Sequence, residues 1–259
     1  MSTTAYCCTA DRLANDQIAQ LRHALTQVHA ADRAKSVFIA KLGHELKTPL
    51  GAIVGLSQLI RMRGEHASGS SVESGWLAQI ERLGRHMSEV IDTLLQLGSC
   101  GSGSLRAACE TFEVFDAMGE ALDIVEGDAR QRGIGIGIVG DVRAQVTADR
   151  PALRQVLVNL VGNAIKYNKR GGRVCLSVRG GERVRITVRD TGPGLSAEQR
   201  ARLFHAFDRL GAERSGIEGH GLGLLLCRDL LQAMDGSIEV DSEEGAGCTF
   251  TVTLPGRTP

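Results

Sequence analysis

Two apolar stripes separated by a glycine- and serine-rich break constrain this chain more than any other feature. Ile39, Leu42, Leu46, Pro49, Ile53, Leu56 and Ile60 recur at steps of three and four, and Trp76, Ile80, Leu83, Met87, Val90, Leu94 and Leu97 do the same. That spacing gives each of two helices one apolar seam of the coiled-coil kind. Gly64 to Gly75 interrupts the pattern as a turn between antiparallel helices would. A single hairpin of two such helices cannot bury both seams, so two chains are expected to join as a four-helix bundle, making a homodimer. The first register runs back through Ile18, Leu21, Leu25 and Val28, with polar Asp32 and Lys35 at seam positions, so one long helix is expected from about Asp11 to Arg63. Met1 to Ala10 has no periodicity and reads as disordered.

Beyond Gly98 to Ser104, a linker by composition, the pattern changes. Strands are expected at Thr111 to Val114, Gly133 to Val139 and Val146 to Ala148, with a helix from Asp116 to Gln131 between the first two. Asp149 is a helix cap with Pro151 in the first turn of a helix running to about Tyr167. Arg173 to Val178 and Arg183 to Asp190 alternate as a hairpin through Gly180 and Gly181; Leu222 to Met234 is helical, and Ser237 to Asp241 and Cys248 to Leu254 are strands. The fold class is therefore α+β: an N-terminal helical hairpin dimerising to a four-helix bundle, followed by an α/β sandwich. The expected boundaries are a disordered 1–10, a signalling helix 11–35, a hairpin domain 36–98, a linker 99–110 and the sandwich 111–255.

In the first helix, His44 falls at heptad position f when Ile39 is a, and so points to solvent. Pro49 removes the hydrogen bond to the Glu45 carbonyl and loosens the turn that carries His44. Neutral imidazole is a nucleophile at physiological pH, and Glu45 can hold the proton on one ring nitrogen while the other attacks. In the sandwich, Asn159, Asn163, Lys166 and Tyr167 stand at steps of four, three and one, placing two amides and a cation on one helical face, where amide oxygens can ligate magnesium and lysine can meet phosphate. Asp190-Thr-Gly-Pro-Gly194 ends a strand in a carboxylate followed by glycines that let backbone approach a base. Leu203-Phe204-His205-Ala206-Phe207 puts two aromatics in a lid base, and Gly219-His220-Gly221-Leu222-Gly223 opens a helix whose free N–H groups suit phosphate. Gly245-Ala-Gly247-Cys-Thr249-Phe250 closes the series before the last strand.

The string His44-Glu45-Leu46-Lys47-Thr48-Pro49-Leu50 resembles the phospho-acceptor box of sensor histidine kinases, and the later motifs, in this order, resemble the N, G1, F, G2 and final glycine boxes of their Bergerat-type ATP-binding domain. The resemblance spans about Ser36 to Pro255. It implies an ATP- and Mg2+-dependent protein-histidine kinase that phosphorylates His44 and passes the phosphoryl group to an aspartate of a response regulator receiver domain. It implies Glu45 as the acid–base partner and Thr48 as the residue that positions water when the regulator is dephosphorylated. Asn163, helped by Asn159, would hold magnesium, Lys166 would meet phosphate, Tyr167 would lie near the base and Asp190 would bind adenine. Gly192, Gly194, Gly219, His220, Gly221, Leu222, Gly223 and Thr249 would complete the pocket. The chain departs from the family at Gly43, where a serine is usual, at Pro193, and at His220, where a small hydroxyl residue is usual. Asp208 to Glu218 would form a short lid bearing Arg209 and Arg214. Related ATPases carry a glutamate at the Asn159 position to activate water, so its absence favours transfer over hydrolysis.

Composition narrows the remaining choices. Thirty basic and thirty acidic residues cancel, giving no reason to expect nucleic acid or a charged membrane surface as partner. Apolar runs are too short to span a bilayer and no signal-peptide pattern opens the chain, so a cytoplasmic protein is expected. Seven cysteines with no CxxC pair point to neither a disulfide framework nor a zinc site. Input is expected through the N-terminal helix, from an upstream sensor or partner. The competing readings are a nucleotide-binding scaffold without kinase activity and a phosphatase-dominated partner of another kinase.

Overall fold

The computed structural model describes residues 38–39, 41–60, 71–101, 109–211 and 219–257. The chain divides into two compact units, Met1–Gly84 and Arg85–Pro259. The disordered tail expected at 1–10, the helix expected over 11–37, the tip of the hairpin at 61–70 and linker residues 102–108 lie outside the described residues.

Helix α1 occupies residues 41–60, with 38–39 also helical. Leu42, Leu46, Ile53, Leu56 and Ile60 are half-buried and Pro49 is buried, while Ile39 is 56% exposed, so the covered stripe starts one step later than the periodicity predicts. The helix continues through Pro49, and the Thr48 hydroxyl donates to the His44 carbonyl at 3.1 Å in the turn that the proline weakens. Helix α2 (Ser71–Gly101) covers all seven predicted seam residues, Trp76 through Leu97. It is longer at both ends than predicted: Ser71 to Gly75 and Gly98 to Gly101 are helical rather than turn and linker. Propagating an established helix adds a hydrogen bond for each residue ordered, and this outweighs the weak local preference of Gly and Ser.

The second unit is built on a mixed seven-stranded sheet. Its strands are β1 (Glu110–Glu113), β2 (Gly135–Gly140), β3 (Gln145–Ala148), β4 (Arg173–Arg179), β5 (Arg183–Asp190), β6 (Ser237–Glu243) and β7 (Gly247–Arg257). The order is β1-β3-β7-β5-β4-β2 with β6 also paired to β7. Only β2 and β4 run parallel; every other pairing is antiparallel. Helices α3 (Val114–Arg132), α4 (Arg150–Lys166) and α6 (Gly223–Ala233) pack side by side with α4 in the middle. Strand alternation sorts the residues: Val174, Leu176, Val184, Ile186, Val252 and Leu254 are buried toward the helices, and their neighbours along each strand are not. Met118, Leu157, Leu160 and Leu226 meet them from the helical layer, each side chain removed from water contributing about 1.5–3 kcal/mol.

Local signals place the ends of these elements. Asp149 caps α4 by accepting from the Ala152 N–H at 2.8 Å, with Pro151 in the first turn. Gly133 closes α3 in the left-handed region at φ 66°. Helix α5 (Ala197–Arg202) was not anticipated, yet Ser196 and Gln199 form a full capping box there, and that Ser-x-x-Gln spacing is a readable start signal. A bidentate contact from Arg202 to Asp208, at 2.8 and 3.1 Å, fixes the segment that follows.

Candidate functional site

His44 is exposed on α1, with Glu45 half-buried beside it and Thr48 one turn on, bonded to the His44 carbonyl. The arrangement presents an accessible imidazole flanked by a carboxylate, as the sequence predicts.

The remaining predicted residues converge at one end of α4 and β5. Asn159 and Asn163 are half-buried on the α4 face turned away from its core-facing leucines and valines. The Asn159 amide lies against the buried Cys227 thiol, and a Cβ at Gly223, the first residue of α6, would stand 3.4 Å from the Asn159 amide oxygen. Lys166 holds its ammonium 5.2 Å from the centre of the Tyr167 ring. A Cβ at Gly219 would come within 2.5 Å of that ammonium and 4.0 Å of the Tyr167 hydroxyl. Asn159, Lys166, Tyr167, Gly219 and Gly223 are therefore neighbours, and the glycines leave the gap between them open. The α6 N-terminus has no side-chain cap, so its first-turn N–H groups face this gap with the positive end of the helix dipole.

Asp190 ends β5 with only 7% of its surface exposed. One carboxylate oxygen accepts from the N–H of Gly192 at 2.7 Å and of Cys248 at 3.3 Å. Burial pushes its pKa above the usual carboxylate value, and the two N–H bonds oppose that shift. A Cβ at Gly192 would meet this oxygen at 2.8 Å and the Tyr167 carbonyl at 3.0 Å, so the Asp190 loop closes directly onto the end of α4. Asn168 reinforces the junction, donating to the Arg173 carbonyl at 3.1 Å and accepting from the Thr191 hydroxyl at 3.2 Å. Gly194, at φ 70°, and Gly247, at φ 89°, leave no room for a Cβ against the Glu243 and Asp190 carbonyls. Neither Asn168 nor its bond to Thr191 was anticipated; two polar side chains 23 residues apart carry no spacing signal.

One predicted pocket residue is displaced. Thr249 lies opposite exposed Arg189 in the β5–β7 pairing, on the face of the sheet away from buried Phe250 and Asp190. The pleat instead puts Cys248 beside Asp190, where burial raises the thiol pKa with the Asp190 charge adding to it. Period-two alternation from Phe250 identifies Cys248, and that signal was available in the sequence.

The segment Leu203 to Phe207 anchors the lid base. Leu203 is buried, Phe204 packs on the core, and the Phe207 N–H donates to the Gly221 carbonyl at 3.0 Å. Leu222 is fully buried and serves through its backbone, its N–H donating to His220 Nδ1 at 3.2 Å. His220 also faces His86, 6.3 Å away between ring centres. Burial first, then the charges of His86, Lys166 and Arg209, lower the His220 pKa to about 4. Arg209 is half-buried there, while Arg214 and the rest of the lid at 212–218 lie outside the described residues.

A histidine held neutral in the folded state and protonated near pH 6.5 in the unfolded state contributes stability that is complete above pH 6.5 and is lost as pH falls toward 4. His220→Gln is therefore expected to flatten the fall in urea midpoint between pH 6.5 and 4, removing up to about 3 kcal/mol of pH dependence, less for the part screened by solvent. Equal slopes in variant and wild type across that window would sink the assignment.

Among the described residues no group of three or more His, Cys, Asp or Glu stands close enough to hold a metal. A magnesium ion shared between amide oxygens and phosphates requires no such group, and the Gly219 and Gly223 gaps, with the Asn159 amide oxygen and the uncapped α6 terminus beside them, fit a metal-bound polyphosphate. No helix among the described residues is long and apolar enough to cross a membrane.

Two family models match the chain. Residues 34–103 match the His Kinase A (phospho-acceptor) domain, and residues 148–258 match the histidine kinase-, DNA gyrase B- and HSP90-like ATPase. The chain is 33% identical to the histidine protein kinase DivJ of Caulobacter vibrioides, over 90% of its own length and 40% of the relative's. It is likewise 33% identical to the non-motile and phage-resistance protein of the same organism, over 89% of itself and 28% of that protein. The chain thus spans less than half the length of these curated relatives. Full-length ShkA, solved with AMPPNP, superposes with a TM-score of 0.63 at 28% identity, over 85% of this chain and 46% of that one. The histidine kinase AdeS of Acinetobacter baumannii has the same fold, with a TM-score of 0.66 over 83% of this chain and 98% of AdeS at 24% identity.

Proposed function

The chain belongs to the two-component histidine kinases, carrying both their phospho-acceptor and ATPase domains, and from that premise we propose that it transfers the γ-phosphoryl group of ATP to His44 and then to a response regulator aspartate. The observation that carries this reading is the convergence of Asn159, Lys166, Tyr167 and Asp190 around glycine gaps in one unit, together with an exposed His44 flanked by Glu45 in the other.

One ring nitrogen of neutral His44 attacks the γ-phosphorus, a nitrogen–phosphorus bond forms, and the bond to the bridging oxygen breaks with ADP as leaving group. Glu45 accepts the proton from the other ring nitrogen as positive charge develops on the imidazole. Lys166 and the α6 N–H groups offset negative charge on the phosphates, and Asp190 accepts a hydrogen bond from the adenine amino group. Tyr167 flanks the base, and Asn163 with Asn159 would hold magnesium. Bound magnesium supplies charge neutralisation on the phosphate oxygens.

A homodimer is favoured by the apolar side chains that α1 and α2 leave in water. Leu50, Val54, Leu59, Leu77, Ile91 and Leu95 are each 43–66% exposed on the single chain, outside the seam positions, and a second copy would cover them. The response regulator follows from the chemistry, since a phosphohistidine is a donor that needs an acceptor, and ThkA, a neighbour in fold, was solved in complex with a response regulator protein. ATP as substrate places the reaction in the cytoplasm.

Purified protein incubated with γ-labelled ATP and magnesium is expected to take up acid-labile, alkali-stable label that moves to an added receiver domain. EDTA is expected to reduce the uptake to background, because polyphosphate charge is then left to Lys166 and backbone N–H groups alone. Absence of label from protein shown to bind ATP would favour the scaffold reading.

A further inference from the structure

The sheet of the second unit has two faces, and α3, α4 and α6 cover only one. On the other, Arg179 stands directly across from Arg185 and Arg189 directly across from Cys175, with Arg173 continuing the β4 row. All four arginines are exposed. No carboxylate among the described residues pairs with the side chains of Arg179, Arg185 or Arg189, although the whole chain balances 30 basic against 30 acidic residues. Like charges directly opposed on neighbouring strands repel, so neither packing nor pairing inside the domain accounts for the arrangement.

The surroundings resemble a protein interface more than an ion site. Ser177, Thr187 and Thr251 form one half-buried hydroxyl row across three strands. Val139, 55% exposed, extends this row on β2 opposite Ser177. Part of the row floors a depression of about 640 Å³ bordered by Arg179 and Arg185, with Asp141 its one acidic lining residue. Arginine is enriched at protein interfaces, and here it stands on both sides of a floor of hydroxyls and one valine. From Arg173 to Arg179 the patch is roughly 20 Å long and across β2, β4, β5 and β7 about 15 Å wide, far larger than a single oxyanion.

Two other anionic classes fit less well. Among the described residues the face carries no Phe, Tyr or Trp on which bases could stack, and Glu239 and Asp241 on β6 confine any anionic partner to the β4–β5 side of the face. A single exposed valine gives a bilayer nothing substantial to bury.

We infer that this open sheet face docks an acidic surface of a protein partner. Asp190 and the glycine gaps lie on the helical side of the sheet, so the nucleotide pocket stays accessible while the partner is bound.

The test uses the full chain and a fluorescent 20-residue peptide of Glu and Asp interspersed with Leu, read by anisotropy. Arg179→Glu with Arg185→Glu is expected to weaken peptide binding by at least about tenfold, in line with placing like charge in a docking patch, while leaving affinity for a fluorescent ATP analogue unchanged. The unchanged nucleotide affinity shows that the variant is folded; were it lost, Arg179→Gln with Arg185→Gln would carry the same comparison. Saturating peptide is also expected to slow alkylation of Cys175, followed by peptide mass spectrometry, at least about threefold through burial of the same face. Equal peptide affinity in the variant and wild type, or unprotected Cys175 with peptide bound, would overturn the inference. So would tighter binding of a single-stranded oligonucleotide or of anionic vesicles than of the peptide.

Discussion

His44→Gln is expected to leave no acid-labile label after incubation with γ-labelled ATP, a loss of at least about a thousandfold, because glutamine offers no ring nitrogen to bond phosphorus. The same variant should bind ATP as wild type does, since every residue proposed for the nucleotide lies between Asn159 and Cys248, and His44 is an exposed side chain in the other unit. That separation distinguishes loss of the acceptor from loss of the pocket. Thr48→Ala removes only the hydroxyl bond to the His44 carbonyl and should keep most of the label uptake, as an exposed side-chain bond contributes about 1 kcal/mol or less. Acid-labile label persisting in His44→Gln at wild-type level would move the acceptor elsewhere.

The sequence makes some of this legible and hides the rest for physical reasons. Seam residues of α2 and the alternating strands β4, β5 and β7 are readable because burial imposes a period on them. The glycines are readable where a missing Cβ is a steric requirement, as at Gly194 and Gly247. Helix α2 runs past its predicted ends because Gly and Ser weaken a helix locally without ending one that is already propagating. The motif predicts Thr249 in the pocket, whereas the pleat turns Thr249 to the other face and brings Cys248 to Asp190. Asn168, joining Thr191 to the start of β4, has no sequence signature, since its bonds exist only after α4, β4 and β5 have come together. The open arginine face is of the same kind: Arg179 and Arg185 are six apart in sequence and become directly opposed only through the hairpin register.

Asp190→Asn is expected to lower ATP affinity by about a hundredfold, near 2.7 kcal/mol, the loss that follows when a buried charged acceptor is replaced by an amide that turns a donor toward the base. Its carboxylate is held by the Gly192 and Cys248 N–H groups on one oxygen, so that oxygen tolerates an amide oxygen in its place. The other position then carries the amide's donors toward the adenine amino group, itself a donor. A purine nucleoside triphosphate lacking that amino group should lose far less affinity. The pH dependence has a definite sign: with the Asp190 pKa raised by burial, wild-type ATP affinity falls as pH drops through the raised value, and the asparagine variant shows no such fall. Stability moves the other way. Because folding raises this pKa, the ionised carboxylate is a cost to the folded state above the ordinary carboxylate range, and asparagine removes it. The variant should therefore melt at or above the wild-type temperature at neutral pH while binding ATP about a hundredfold more weakly. Wild-type affinity for ATP in Asp190→Asn, within threefold, would remove Asp190 from the adenine site.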